Sequence, residues 1–149
     1  MRLYLDTSVI GGYFDAEFRE WTIPLIESIL DRKHIGVISD LTIREILDAR
    51  EEVIDLLDKV IDRNCELITG NESTDNLAQH YINEGALGIH SFMDAQHIAI
   101  ATYFTVSAVI SWNFKHIVNI DRIRLFNSVN LKYGYGLIDI RSPREIIAK

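Results

Sequence analysis

Leu3-Tyr4-Leu5-Asp6-Thr7-Ser8 decides how the chain is read: three apolar residues, then an acid, then two turn-prone hydroxyl residues. A short apolar run without polar alternation suits a strand covered on both faces, and the acid marks its end. The reading predicts a strand followed by a loop reaching Gly11-Gly12. Ligands of open α/β sheets bind beyond the carboxyl ends of the strands, which is where Asp6 stands.

Working outward, Phe18, Trp21, Ile23, Leu25, Ile26, Ile29 and Leu30 recur at roughly helical spacing over residues 17–32, with Pro24 at a boundary or kink. Ile35-Gly36-Val37-Ile38-Ser39 reads as a second strand, and Ser39 or Asp40 as the cap of a helix carrying Ile43, Ile46 and Leu47. Val53, Ile54, Leu57, Val60 and Ile61 form the apolar stripe of the next helix. Glu66-Leu67-Ile68 reads as a short strand, followed by a helix through Leu77, Ala78 and Tyr81 that ends near Gly85 or Gly88. Residues 91–101, small and apolar, predict a buried helix with Ser91 as its cap and Asp94 in its first turn. A buried strand at 106–111, an amphipathic helix at 121–133, a final strand Leu137-Ile138-Asp139-Ile140 and a helix opening at Pro143 complete the chain.

Strands alternating with helices imply βαβ units, so the expected fold is α/β: three layers, α/β/α, around a mainly parallel central sheet. At 149 residues the chain is expected to be a single domain over 1–149, without linker or repeat. With 48% hydrophobic and 25% charged residues it has a core to bury, which excludes disorder.

No apolar stretch is long enough to span a bilayer, and Asp6 interrupts what a secretory signal would continue, so the expectation is a cytoplasmic protein with no membrane partner. Cys65 is the only cysteine, which excludes an internal disulfide and a cysteine zinc cluster; a buried strand position is expected for it. The net charge of −7 opposes nonspecific attraction to a polyanion, except where clustered acids bind cations and reverse the local field.

The candidate chemistry lies in Asp6, Glu45, Asp94 and Asn113. Each has an ordinary reading: Asp6 orders a turn, Glu45 is solvated on its helix, Asn113 serves a loop. Asp94 is harder to dismiss, because an acid in a buried helix needs a partner. Glu45 is placed about one turn into its helix and Asn113 just past the late strand, so the four oxygen-bearing groups could converge on one sheet edge. Convergent carboxylates call for a hard divalent cation, Mg2+ or Mn2+, able to activate water and stabilise an in-line phosphodiester displacement.

In this order, Leu5-Asp6-Thr7-Ser8, Glu45 in Thr42-Ile43-Arg44-Glu45-Ile46, Asp94-Ala95-Gln96-His97-Ile98-Ala99 and Ser111-Trp112-Asn113-Phe114-Lys115-His116-Ile117 resemble a PIN domain across nearly the whole chain. The resemblance implies a parallel-sheet α/β/α fold and a metal-dependent endoribonuclease, as in VapC-type toxins. It also implies an RNA substrate, a small antitoxin protein and a homodimer. Three of the family's acids map onto Asp6, Glu45 and Asp94; Asn113 stands where many relatives place a fourth, so the site has an uncharged oxygen there.

Thr7, Ser8 and Ser111 are supporting candidates, with simple turn roles equally open. Arg44, Lys115 and His116 are candidates for RNA phosphate contacts, a solvated surface role being as good. His97, three residues after Asp94, reads as a satisfied semi-buried residue and is left outside the metal set. Of Trp112 and Phe114, either of which suits base stacking, at least one is expected in the core.

Competing classes lack their residues. A phosphatase of the haloacid-dehalogenase type needs a second Asp where Ser8 stands, and no glycine-rich phosphate loop is present. The alternative that remains is a binding module for nucleic acid or protein that keeps the fold while Asn113 weakens the metal site.

Overall fold

A computed structural model describes residues 1–148. Among these residues the strands β1 (Arg2–Leu5), β2 (Ile35–Ser39), β3 (Cys65–Ile68), β4 (Ala108–Ile110) and β5 (Ile140–Arg141) form one five-stranded sheet in the order β3-β2-β1-β4-β5. Every pairing is parallel. The expected three-layer α/β/α architecture is present.

Alternation along the strands sorts the core into two halves. Leu3, Leu5, Ile38, Ala108 and Ile110 face α1 (Thr7–Gly12), α2 (Arg19–Leu30) and α4 (Glu51–Asn64). Tyr4, Val37 and Val109 face α5 (Glu72–Asn83), α6 (Phe92–Tyr103) and α7 (Ile120–Lys132). A strand covered on both sides has no polar face, which is why its sequence shows an apolar run. Each fully buried Leu or Ile contributes roughly 1.5–3 kcal/mol. Two short helices, α3 (Asp40–Ile46) and α8 (Pro143–Ile147), complete the layers. Among the described residues no helix is long and apolar enough to cross a membrane.

Several local expectations change. The residues after β1 form helix α1, not a loop, because the Asp6 side chain caps it by accepting the Val9 N–H. Pro24 lies inside α2 without breaking it. The carbonyl it leaves unbonded belongs to exposed Glu20, where water can serve it, while Leu25, Ile26 and Ile29 hold the buried face. Ser39 caps α3 as expected. Ser91 stands at the N-cap position of α6 as expected but makes no side-chain capping bond, since it closes a 3₁₀ turn (Ile89–Ser91) that runs directly into that helix. Leu47 falls past the end of α3 and is exposed.

The late strand is shorter than 106–111, and the last begins at Ile140, three positions later than expected. Asn127 explains the second shift: its side chain accepts the Ile138 N–H at 2.8 Å and donates to the Ile138 carbonyl at 3.2 Å, so Ile138 has no backbone groups left for a ladder. Cys65 opens β3 but is only half-buried.

Candidate functional site

The strand order reverses at β1: β2 lies on one side and β4 on the other. That junction is a topological switch point, the place where open α/β sheets form their binding crevice. Asp6 follows β1 there, and its N–H bonds the Ile110 carbonyl at the end of β4.

Asp6 is 4% exposed. Ser8 Oγ donates to Asp6 Oδ1 at 2.6 Å, Ser111 Oγ donates to Oδ2, and the Val9 N–H adds a third bond. Burial pushes the carboxyl above its usual range, opposed by electrostatic attraction toward the His97 imidazole and then by these donors. Asp6 is thus a desolvated carboxylate held by neutral groups with no cationic side chain in hydrogen-bond contact. Thr7, the next residue, has a buried Oγ1 without a partner among the described residues.

From Asp6 the network runs onward through the turn after β4. Ser111 Oγ accepts the Asn113 N–H at 3.0 Å, and Asn113 Oδ1 accepts the His116 N–H at 2.9 Å. His116 Nδ1 then meets Asp94 Oδ2 at 3.0 Å in the first turn of α6. Trp112 anchors this turn: its indole N–H donates to Thr22 Oγ1 at 2.8 Å and its ring stacks on Phe18 at 4.5 Å. Trp112 is therefore the core aromatic of its pair, and Phe114 is half-exposed.

Glu45 belongs to a second network. It is the penultimate residue of α3, six positions past the Ser39 cap, and His97 Nε2 lies 2.6 Å from its Oε1. His97 Nδ1 is 2.5 Å from the Tyr4 hydroxyl, which is 2.7 Å from Ser39 Oγ. Burial raises the Tyr4 phenol well above its ordinary value, so it remains an O–H. Asp94 and His97 stand one turn apart on α6, so that helix joins the two networks.

The structure thus joins Asp6, Ser8, Ser111, Asn113, His116 and Asp94 in one chain of contacts and places Glu45 on a neighbouring one. Glu45 and Asp94 are each engaged by a histidine through one oxygen. Among the described residues no three His, Cys, Asp or Glu side chains stand grouped to hold a metal ion. In donor chemistry the set still fits a hard cation: oxygen ligands, a buried carboxylate with no cationic side chain in hydrogen-bond contact, and an orphaned hydroxyl on the next residue.

The expected phosphate-binding residues differ from one another. His116 is committed to Asp94. Arg44 is exposed, 3.7 Å from Asp40, and lines a cleft of about 280 Å³ with Leu41, Glu45, Met93 and Gln96. Lys115 is exposed beside His116. Sequence reasoning missed Tyr4 and Ser39, and read His97 only as a satisfied residue. A tyrosine amid a doubly covered strand is the signal that was available, since its hydroxyl must find a partner.

No family model and no curated protein matches the sequence. Solved structures with this fold include VapBC2 from Rickettsia felis bound to a DNA fragment from their promoter, at TM-score 0.62 and 14% identity over 95% of this chain and 98% of that one. FitAcB from Neisseria gonorrhoeae matches at TM-score 0.59 and 15% identity over 95% and 97%. VapC20 of Mycobacterium tuberculosis, a Sarcin-Ricin loop cleaving toxin, matches at 0.56 and 13% over 76% and 92%. The likeness is one of fold, and it is the PIN-like fold that the motif order implies.

Proposed function

We propose, taking the PIN-like fold as premise, that this chain is a divalent-metal-dependent endoribonuclease that hydrolyses RNA phosphodiester bonds and serves as the toxin of a type II toxin–antitoxin pair. The observation that carries the reading is Asp6: a buried carboxylate without a cationic partner, at the switch point of the sheet and hydrogen-bonded through Ser111, Asn113 and His116 toward Asp94. Asp6, Glu45 and Asp94, with the Asn113 amide oxygen, would hold Mg2+ or Mn2+. When bound, the ion supplies an activated water and stabilises charge on the phosphate.

The chain's own residues then have distinct tasks. Ser8 and Ser111 orient the Asp6 carboxylate. His116 and His97 each hold one oxygen of an acid. Arg44 and Lys115 are the exposed cations beside this edge that suit RNA phosphates, compensating locally for the overall charge of −7. A small antitoxin protein and a homodimeric toxin belong to the same proposal; neighbours solved as VapBC2 and FitAB assemblies support the first.

A second reading, a binding module with little metal affinity, draws on the engagement of Glu45 and Asp94 by histidines and of the Asn113 oxygen by the His116 N–H. One experiment separates the two. Purified protein is incubated with total RNA in Mg2+ or Mn2+, with and without chelator, beside Asp6→Asn and Asp94→Asn. The nuclease reading expects cleavage that chelator and either substitution abolish while the fold persists. Cleavage untouched by chelator or by both substitutions would sink it; RNA retention without cleavage favours the binding module.

A further inference from the structure

Tyr4 and His97 are polar residues placed within the apolar core, and both are buried. Burying a hydroxyl and an imidazole is costly unless each polar atom is paired, and an apolar pair of similar size would pack there without that requirement. All their polar atoms are in fact paired. Taking the Glu45 carboxylate as acceptor, His97 Nε2–H is the donor over 2.6 Å. In the neutral ring Nδ1 then accepts from the Tyr4 O–H at 2.5 Å, and the Tyr4 oxygen accepts from Ser39 Oγ–H at 2.7 Å. Ser39 is in turn fixed as the cap of α3, where its oxygen takes the Thr42 N–H.

The arrangement is a one-directional line of hydrogen bonds in which Ser39, Tyr4 and His97 each donate to the next group and the Glu45 carboxylate is the final acceptor. Its inner members are inaccessible, and only its last group reaches the surface, with a quarter of the Glu45 side chain exposed. With both ring nitrogens occupied, His97 has no lone pair free for a metal. Glu45 Oε2, by contrast, takes no hydrogen bond among the described residues.

We propose that His97 is a positioning residue for Glu45: anchored from the core by the Tyr4 hydroxyl, it fixes one carboxylate oxygen and leaves the other for a divalent ion. The inference rests on the metal-site reading above. Glu45 sits near the end of a seven-residue helix, where a long side chain has many rotamers; the His97 bond selects one before an ion arrives.

The test is Mn2+ affinity of the full chain by titration calorimetry, with thermal unfolding to monitor the fold. Removing an outer partner of a ligand weakens metal binding about 10–100-fold, so His97→Leu should raise the Mn2+ Kd at least about tenfold. His97→Gln, whose amide can still donate to Glu45, should stay within about threefold of the parent, and Tyr4→Phe should fall between. A parent chain that binds no Mn2+ overturns the metal reading and this inference with it. A parent that binds while folded His97→Leu binds equally well overturns the inference alone. His97→Gln losing as much as His97→Leu also overturns it, in favour of the imidazole as a direct ligand. If leucine at 97 prevents folding, Tyr4→Phe decides, since an unchanged Kd on loss of that single hydroxyl contradicts the relay.

Discussion

His116 Nδ1 lies 3.0 Å from Asp94 Oδ2, tying the turn after β4 to the first turn of α6. This contact occupies Nδ1, one of the two ring nitrogens able to meet a phosphate. If His116 orients Asp94, His116→Ala should lower kcat by about tenfold with little change in KM, the signature of a lost positioning bond. A raised KM at constant kcat would instead mark His116 as an RNA contact. Steady-state cleavage of a short RNA distinguishes the two.

Asp6→Asn should abolish cleavage without destabilising the fold. Asparagine caps a helix as well as aspartate does, its oxygen can take the Ser8 and Val9 bonds, and the substitution removes a charge whose ionisation burial opposes. The expected melting temperature of the metal-free variant equals or exceeds the parent's. Asp6→Ala, which loses the cap, should cost about 1 kcal/mol in urea denaturation.

Gly12→Ala should destabilise although alanine favours helix. A Cβ at position 12 would stand 2.9 Å from Trp112 Nε1 and 3.0 Å from Thr22 Oγ1, inside the contact that anchors the turn bearing Asn113. The helix gain is up to about 1 kcal/mol and overpacking costs about 1–3 kcal/mol, so the net sign is loss. Denaturant titration gives the magnitude, and Trp112 fluorescence should report the displaced indole. A more stable variant with unshifted emission contradicts the prediction.

Arg2 holds Glu66 in a two-pronged pair at 2.8 and 2.6 Å, linking β1 to β3 across β2. The guanidinium bond lowers the Glu66 carboxyl below its ordinary value of 4.5. A depressed acid stabilises the fold above that ordinary value and ceases to do so as pH falls through the lowered one. Glu66→Gln should therefore be less stable at neutral pH and equal to the parent in strong acid. Both groups are about one-third exposed, so screening keeps the neutral-pH difference under about 1 kcal/mol. Paired melts across the acidic range check it.

The sheet was legible because its strands are buried on both faces and written as apolar runs; Ile35–Ser39 and the run ending at Asp6 needed no tertiary information. Residues 7–12 were not legible as a helix. Thr7, Ser8 and two glycines favour a turn, and only the capping bond from Asp6 and burial of Val9 and Ile10 overcome that preference. Ile138 looked like a strand residue, yet Asn127 from α7 claims its backbone, a long-range choice invisible in local pattern. Asp6 could be named from its place after a strand. The partners of Glu45 and Asp94 could not, because His97 and His116 reach them from other elements across 52 and 22 positions.

The alternation of β1 has one more consequence. Leu3 and Leu5 point into the half of the interior formed with α2 and α4, while Tyr4 points into the half that leads to Glu45. The two halves therefore drift under different rules. On the α2 and α4 side a leucine can become an isoleucine or methionine whenever the volume is kept. Beside Tyr4, a change that shifts the ring by a fraction of an ångström is transmitted to a carboxylate at the surface. Homologous chains should accordingly vary more freely around Leu3 and Leu5, away from the Trp112 anchor, and in concert around Tyr4, so that co-variation there traces the reach of the site into the core.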